Sequence, residues 1–97
     1  MGNTILMRDT FILKTDSGET RLQSKEFQIL ELLMQNKNKL ISTERLMEKI
    51  WGFDSEAEIN VVWVYISNLR KKLVSLDSNV EIKATRNAGY TLEERND

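Results

Sequence analysis

The sequence predicts an α+β fold in which an N-terminal antiparallel sheet precedes three helices and a C-terminal β-hairpin. Three observations lead to this prediction. β-branched and apolar residues surround a turn signal in the first 22 positions, three apolar patterns with helical spacing follow, and an alternating segment ends in a turn near position 88. The 97 residues allow one small domain with a single modest core.

The N-terminal sheet is predicted by short runs of β-branched and apolar residues. Two such runs extend from Thr4 to Met7 and from Thr10 to Thr15. Asp16-Ser17-Gly18 is a turn signal, and Glu19 to Leu22 can return as a third strand. We therefore expect three short antiparallel strands before the first helix.

The first helix is predicted between Ser24 and the stretch 36–39, which is rich in amides and lysines. Ser24 is a candidate N-cap, and Glu26 falls in the first turn, where a negative charge is favourable. Apolar residues recur at helical spacing and form one wide face: Phe27, Ile29, Leu30, Leu32, Leu33 and Met34. This face should be buried.

The second helix is predicted to begin after Ser42, a second N-cap candidate that Glu44 follows. Its apolar side consists of Leu46, Met47 and Ile50. The helix runs to Trp51, which we expect to belong to the core, and Gly52 ends it. A short acidic connection then leads to the third helix, so that the two form a helix-turn-helix-like pair.

The third helix, predicted over about 57–76, has two faces of different chemistry. One stripe is apolar and should be buried: Val62, Ile66, Leu69 and Leu73. The opposite stripe carries Val61, Val64, Asn68 and Lys71, and the flanks carry Trp63, Tyr65, Ser67, Arg70 and Lys72. Asparagine can read an adenine edge, small apolar groups can contact a thymine methyl, and cations can hold phosphates, so this helix suits the DNA major groove. For Arg70-Lys71-Lys72 alone, a solvated helix end is the ordinary interpretation.

The C-terminal hairpin is predicted by alternation from Val80 to Arg86, a turn at Asn87-Ala88-Gly89, and a return strand from Tyr90 to Leu92. A hairpin directly after the third helix is a wing, which makes the predicted fold a winged helix-turn-helix. Arg86 beside the tip is well placed to enter a narrow minor groove. Tyr90 is expected mainly as a core anchor of the wing, with phosphate contact as its second role.

The composition excludes several classes of protein. Histidine and cysteine are absent, which removes the commonest general base, the commonest metal ligand and thiolate chemistry. The acidic residues are scattered over predicted helix surfaces, so we interpret them as solvated. We expect no enzyme, no catalytic residue, no metal, no cofactor and no small-molecule substrate. No apolar run approaches the roughly 18 residues of a membrane span, and a signal peptide is lacking, so we expect a cytoplasmic protein without membrane contact.

The charge distribution bears on nucleic-acid binding in two opposite ways. The net charge of −1 argues mildly against it. The segment 59–92, however, carries five cations and two anions, whereas residues 1–58 carry eight cations and ten anions. One end of the molecule is therefore mildly basic, as a directional interaction with DNA requires.

Four segments in this order resemble the OmpR/PhoB-type effector domain of two-component response regulators. They are LQSKEFQILELL at 22–33, ISTERLMEKIWG at 41–52, VYISNLRKKL at 64–73 and ATRNAGYTL at 84–92, and the resemblance covers nearly the whole chain. It implies sequence-specific binding of double-stranded DNA as a homodimer on tandem half-sites, with the third helix in the major groove and the wing at the minor groove. It also implies a contact between RNA polymerase and the loop Gly52, Phe53, Asp54, Ser55 and Glu56.

The sequence departs from the family pattern in three respects. Asn87 stands where the family usually has glycine, and we expect the turn to survive because asparagine tolerates left-handed geometry. Trp63 and Tyr65 replace an acidic and a polar residue, so the half-site of better known members cannot be carried over. The phosphate-accepting receiver domain is absent from residues 1–97, which we take as a single effector domain. Either the chain is an excised segment of a longer protein, which the abrupt Met-Gly start favours, or the protein lacks that domain.

The leading hypothesis is a DNA-binding transcription regulator. Bases would be read by Val61, Trp63, Val64 and Asn68, and phosphates would be held mostly by Asn60, Tyr65, Ser67, Arg70, Lys71 and Lys72. Arg86 would enter the minor groove. The alternative is a winged-helix module for protein–protein interaction with Trp63 and Tyr65 as interface anchors, which the near-neutral charge supports. A small hydrolase is a poor third option because no catalytic constellation is present.

Overall fold

Two antiparallel sheets enclose three helices in the computed structural model, which describes residues 1–52 and 60–95. The elements are β1 (Ile5–Met7), β2 (Ile12–Thr15), β3 (Gly18–Arg21), α1 (Ser24–Gln35), α2 (Thr43–Ile50), α3 (Val61–Ser75), β4 (Val80–Thr85) and β5 (Gly89–Glu94). The first three strands form one sheet in the order β1-β2-β3, and β4 pairs with β5. The predicted fold class, a winged helix-turn-helix with an N-terminal sheet, is confirmed. In the described ranges no helix is long and apolar enough to cross a membrane.

Some predicted boundaries were wrong by a few residues. The N-cap of α1 is Gln23, whose extended backbone precedes the helix, and Ser24 is already helical. The Glu26 carboxylate accepts the Gln23 backbone N–H at 2.8 Å. Glutamine is not among the residues preferred at an N-cap, so the sequence pattern indicated Ser24 instead. The hairpin strands also differ: β4 ends at Thr85, and β5 runs from Gly89 to Glu94. The predicted start of α3 at 57–59 lies outside the described residues.

The core forms where the apolar faces of the three helices meet both sheets. The predicted stripe of α3 is confirmed, since Val62, Ile66 and Leu69 are fully buried and Leu73 nearly so. On α1 the buried apolar residues are Phe27, Ile29, Leu30 and Leu33, while Leu32 and Met34 are only partly covered. The sheets contribute Leu13, Val80, Ile82 and Leu92, and Leu22 is buried directly after β3. One continuous core therefore supports the whole domain.

Glu26 is a buried carboxylate in this core. Its exposed fraction is 1%, and its Oε1 lies 2.6 Å from the Lys72 Nζ of α3. The expectation that the acidic residues are solvated was wrong here. Burial of this charge is tolerated because Glu26 is both paired with an ammonium and hydrogen-bonded to the Gln23 N–H.

The wing is joined to the start of α2 through Ile41. Ile41 and Tyr90 exchange two backbone hydrogen bonds of 2.9 Å each. Gly89, with φ of 150°, allows this approach, because a Cβ at that position would lie 2.1 Å from the Ile41 carbonyl oxygen. The close backbone contact fixes the wing against the first turn of α2.

Gly89→Ala should therefore destabilise the fold by roughly 2–4 kcal/mol, from backbone strain and from the collision with Ile41. Gly52→Ala is the matched control, because Gly52 also has positive φ, 84°, but no atom of the described residues lies within 4 Å of the added Cβ. It should lose only about 1 kcal/mol. Urea unfolding of both variants measures the difference, and equal losses would contradict the close-approach explanation.

Lys72→Met should destabilise the fold by roughly 1–3 kcal/mol, because it leaves the Glu26 carboxylate buried without its partner. The double variant Glu26→Gln/Lys72→Met should recover part of this loss, since the glutamine oxygen can still accept the Gln23 N–H. Urea unfolding of the single and double variants gives the coupling free energy. Strict additivity of the two substitutions would show that the ion pair contributes nothing.

Candidate nucleic-acid interface

The outward face of α3 carries a stripe of neutral side chains that ends in one cation. Trp63 is 60% exposed and Val64 is 49% exposed. Ser67 and Asn68 are partly exposed, and Lys71 is exposed. This stripe lies opposite the buried residues of the same helix, which is the arrangement that the helical periodicity predicts.

The wing turn presents Arg86 to solvent. The Ala88 N–H donates to the Thr85 carbonyl oxygen at 3.0 Å, which closes the turn. Asn87 has φ of 62°, so it takes the left-handed conformation for which the family usually uses glycine. The expectation that the turn survives this replacement is confirmed.

A concavity of about 460 Å³ separates the wing from the helices. It is lined by Thr43 and Glu44 of α2, by Asn60 and Trp63 at the start of α3, and by the wing residues 84–90. Thr43 and Glu44 were not among the site residues predicted from the sequence. The N-cap signal at Ser42 placed them in the first helical turn, but only the Ile41–Tyr90 pairing brings that turn beside the wing.

Arg70 and Lys72 are bound within the domain. The half-buried Arg70 donates its Nε–H to the Ile82 carbonyl oxygen of β4 at 3.0 Å. Lys72 is paired with Glu26 and lies 3.4 Å from the Arg21 carbonyl oxygen. Both side chains thus have partners that hold them away from the outward stripe. Among the described residues Lys71 has no ion-pair partner, and it is the member of this cationic trio that remains available.

Tyr65 lies on the inner flank of α3. It is partly buried, and its ring centroid is 5.6 Å from that of Trp51. Lys25 of α1 lies over the Trp51 ring at 5.4 Å and donates to the Ile50 carbonyl oxygen at 2.9 Å. Trp51 packs against the core, as expected. These contacts give Tyr65 a packing role at the junction of the three helices.

The remaining predicted site residues have mixed environments. Tyr90 is 8% exposed and anchors the wing, which was its expected main role. Val61 is partly buried against the core. Asn60 is exposed at the N-cap of α3 and makes no capping hydrogen bond with its side chain. Of the predicted polymerase loop, only Gly52 belongs to the described residues, whereas Phe53, Asp54, Ser55 and Glu56 lie outside them.

Sequence comparison identifies relatives along nearly the whole chain. The family model described as "Transcriptional regulatory protein, C terminal" matches residues 17–92. The transcriptional regulatory protein DltR of Streptococcus agalactiae serotype III is 39% identical over 95 residues, which are 98% of this chain and 42% of DltR. The chain thus spans less than half the length of this curated relative.

Solved structures with the same fold also match this chain over nearly its whole length. The C-terminal domain of the nisin resistance regulator NsrR, a lantibiotic response regulator, superposes with a TM-score of 0.82 at 32% identity, over 99% of this chain and 97% of that domain. The DNA-binding domain of Bacillus subtilis CssR superposes with a TM-score of 0.81 at 26% identity, over 92% of this chain and 98% of that domain. Both alignments include the wing as well as the helices, because they extend over more than nine tenths of each chain.

Proposed function

We propose that this chain binds double-stranded DNA in a sequence-specific manner, as the effector domain of a response regulator. The chain belongs to the family of OmpR/PhoB-type C-terminal domains of transcriptional regulatory proteins. The observation that carries the proposal is the exposed stripe of α3 beside the wing, with Trp63 and Val64 uncovered and Arg86 at the tip. The CssR domain, which has the same fold, is a DNA-binding domain by its own description.

The major groove would receive the outward stripe of α3. Trp63, Val64 and Asn68 face away from the core and can reach base edges, with Ser67 beside them. Asn68 can make two hydrogen bonds to an adenine edge. Val61 is partly covered by the core, so its contact with bases would be smaller than that of Val64.

The phosphate contacts would come from fewer cations than the sequence suggested. Lys71 on α3 and Arg86 on the wing are exposed, and Arg86 can enter the minor groove, where the potential is most negative. Lys83 is also exposed, but two carboxylates lie 3.6 Å and 3.7 Å from its Nζ. Four other predicted phosphate contacts are engaged inside the domain and are less free to reach DNA: Arg70 and Lys72 through their polar partners, and Tyr65 and Tyr90 through packing. Asn60 and Ser67 can add neutral contacts.

We also propose how the domain assembles on DNA, which protein it contacts and where in the cell it acts. The family resemblance supports a homodimer on tandem half-sites and a contact between RNA polymerase and the loop 52–56. The proposal includes a cytoplasmic location, where a transcription regulator reaches the chromosome. It assigns no catalytic activity to this domain, whose sequence lacks histidine and cysteine.

A second candidate function is a protein-interaction module. Its support is the exposure of Trp63 and Val64, since aromatic and aliphatic side chains of this kind anchor protein interfaces. Fluorescence anisotropy with random and selected duplexes at low salt separates the two functions. Absence of any DNA binding, together with a stable protein complex that Trp63→Ala abolishes, would favour the interaction module.

Asn68→Ala should weaken binding to a selected cognate duplex by roughly 1–3 kcal/mol and relax the preference at one base pair, because the alanine cannot pair with a base edge. Gln35→Ala is the control, an exposed amide at the end of α1 on a different surface. Anisotropy titrations with the cognate duplex and its single-base variants measure both effects. Unchanged preference at every position would refute base reading by Asn68.

Lys71→Ala should make the negative slope of log K against log salt concentration less steep by about 0.9, because one phosphate contact is lost. Lys72→Met is the matched control on the neighbouring residue and should leave the slope unchanged, since its ammonium is engaged by Glu26. Titrations between 50 and 200 mM salt, on protein shown to be folded, give both slopes. An equal change of the slope for Lys72→Met would show that Lys72 also contacts a phosphate.

A further inference from the structure

Trp63 and Val64 form the largest apolar surface on the outward face of α3. Six large hydrophobic residues are exposed in the described part of the chain: Ile5, Met7, Leu40, Trp63, Val64 and Val74. Only Trp63 and Val64 are adjacent in sequence, and both lie in the first turn of α3. Trp63 also lines the wing concavity. Exposed apolar surface of this size in a binding face indicates a partner with apolar surface of its own.

The first turns of α3 carry no charge that would hold a phosphate. The outward stripe from Asn60 to Asn68 contains no cation, and Lys71 is the first one along it. Glu44 of α2 and Arg86 of the wing both line the concavity beside Trp63, so the cation nearest this end of α3 belongs to the wing. The neutral side chains of the helix itself are suited to the bases of the duplex.

Thymine is the base with the matching chemistry. In the major groove, the other bases present hydrogen-bonding groups, whereas thymine adds a C5-methyl group that an apolar side chain can cover. Consecutive helical residues point about 100° apart and rise only about 1.5 Å along the axis, so Trp63 and Val64 would meet different base pairs that lie close together in the groove.

We infer that Trp63, with Val64 beside it, determines specificity by covering the 5-methyl groups of thymines at two neighbouring positions of the half-site. This inference rests on the proposed DNA binding. The indole of Trp63 would then cover a base methyl, whereas the alternative function makes it an anchor of a protein interface. Burial of the methyl groups supplies the discrimination, and the contact adds nothing to the salt dependence.

The test replaces single thymines by deoxyuridine in a duplex selected from a random pool. Deoxyuridine keeps every hydrogen-bonding group and the charge of the duplex, and it removes only the methyl group. Affinity should fall about fourfold at each of two neighbouring positions, the value expected for one methyl group covered by an apolar side chain. Other thymines of the half-site should show no change.

Two variants test whether Trp63 and Val64 are the residues that contact the methyl groups. In Trp63→Ala the deoxyuridine effect should disappear at one position, and in Val64→Ala at its neighbour, with the salt slope unchanged in both. Val74→Ala is the control, since Val74 is 74% exposed at the other end of α3. Thermal melting checks that the variants are folded, which their exposed positions favour.

The outcomes separate this inference from the proposed function. Binding of the selected duplex without any deoxyuridine effect would overturn the inference and leave DNA binding intact. A deoxyuridine effect that persists in both Trp63→Ala and Val64→Ala would also overturn it, because another residue would then contact the methyl groups. Failure to select or bind any duplex at low salt would overturn the proposed function itself, and the inference with it.

Discussion

The buried apolar stripe of α3, with the ion pair between Glu26 and Lys72 beside it, determines which face of the helix is available to a partner. Glu26 is the one charged residue that is buried among those described, and its carboxylate also accepts the N–H that caps α1. Since successive helical residues are about 100° apart, Lys71 lies on the side opposite the buried stripe. Lys71 is two turns from Val64 and nearly one turn from Asn68, so these three residues share the outward stripe. The exposure of that stripe thus depends on contacts made on the opposite side of the helix.

Two further contacts complete the surface from the side of the wing. Arg70 binds the Ile82 carbonyl oxygen of β4, and Ile41 pairs with Tyr90 of β5. The first contact holds α3 against the hairpin, and the second holds α2 against it, so the concavity between them has three fixed walls. Gly89 makes the second contact possible, because any side chain there would meet the Ile41 backbone. Backbone hydrogen bonds between Ile41 and Tyr90 therefore hold the wing against α2, and the Arg70 side chain holds α3 against β4.

The parts of this structure that the sequence predicted are those that depend on local pattern. The buried stripe of α3 follows from the spacing of Val62 and Ile66, and the turn at Asn87 follows from the tolerance of asparagine for positive φ. The partners of Arg70 and Lys72 were not predictable, since they depend on which elements meet across the core. Lys72 and Glu26 are 46 positions apart in the chain. Thr43 and Glu44 were missed for the same reason, because their place beside the wing results from a long-range strand pairing.

The internal contacts of two cations bear on how this surface would bind the proposed DNA partner. Arg70 donates to a backbone carbonyl oxygen and Lys72 is paired with Glu26, so Lys71 is the exposed cation among the three in a sequence that is nearly neutral overall. Phosphate contacts supply affinity without sequence information, whereas base contacts supply specificity. In the proposed complex, a face with few exposed cations and two exposed apolar residues would draw more of its binding free energy from the bases. We therefore expect weak affinity for random duplexes, as a consequence of the same contacts that hold α3 in place.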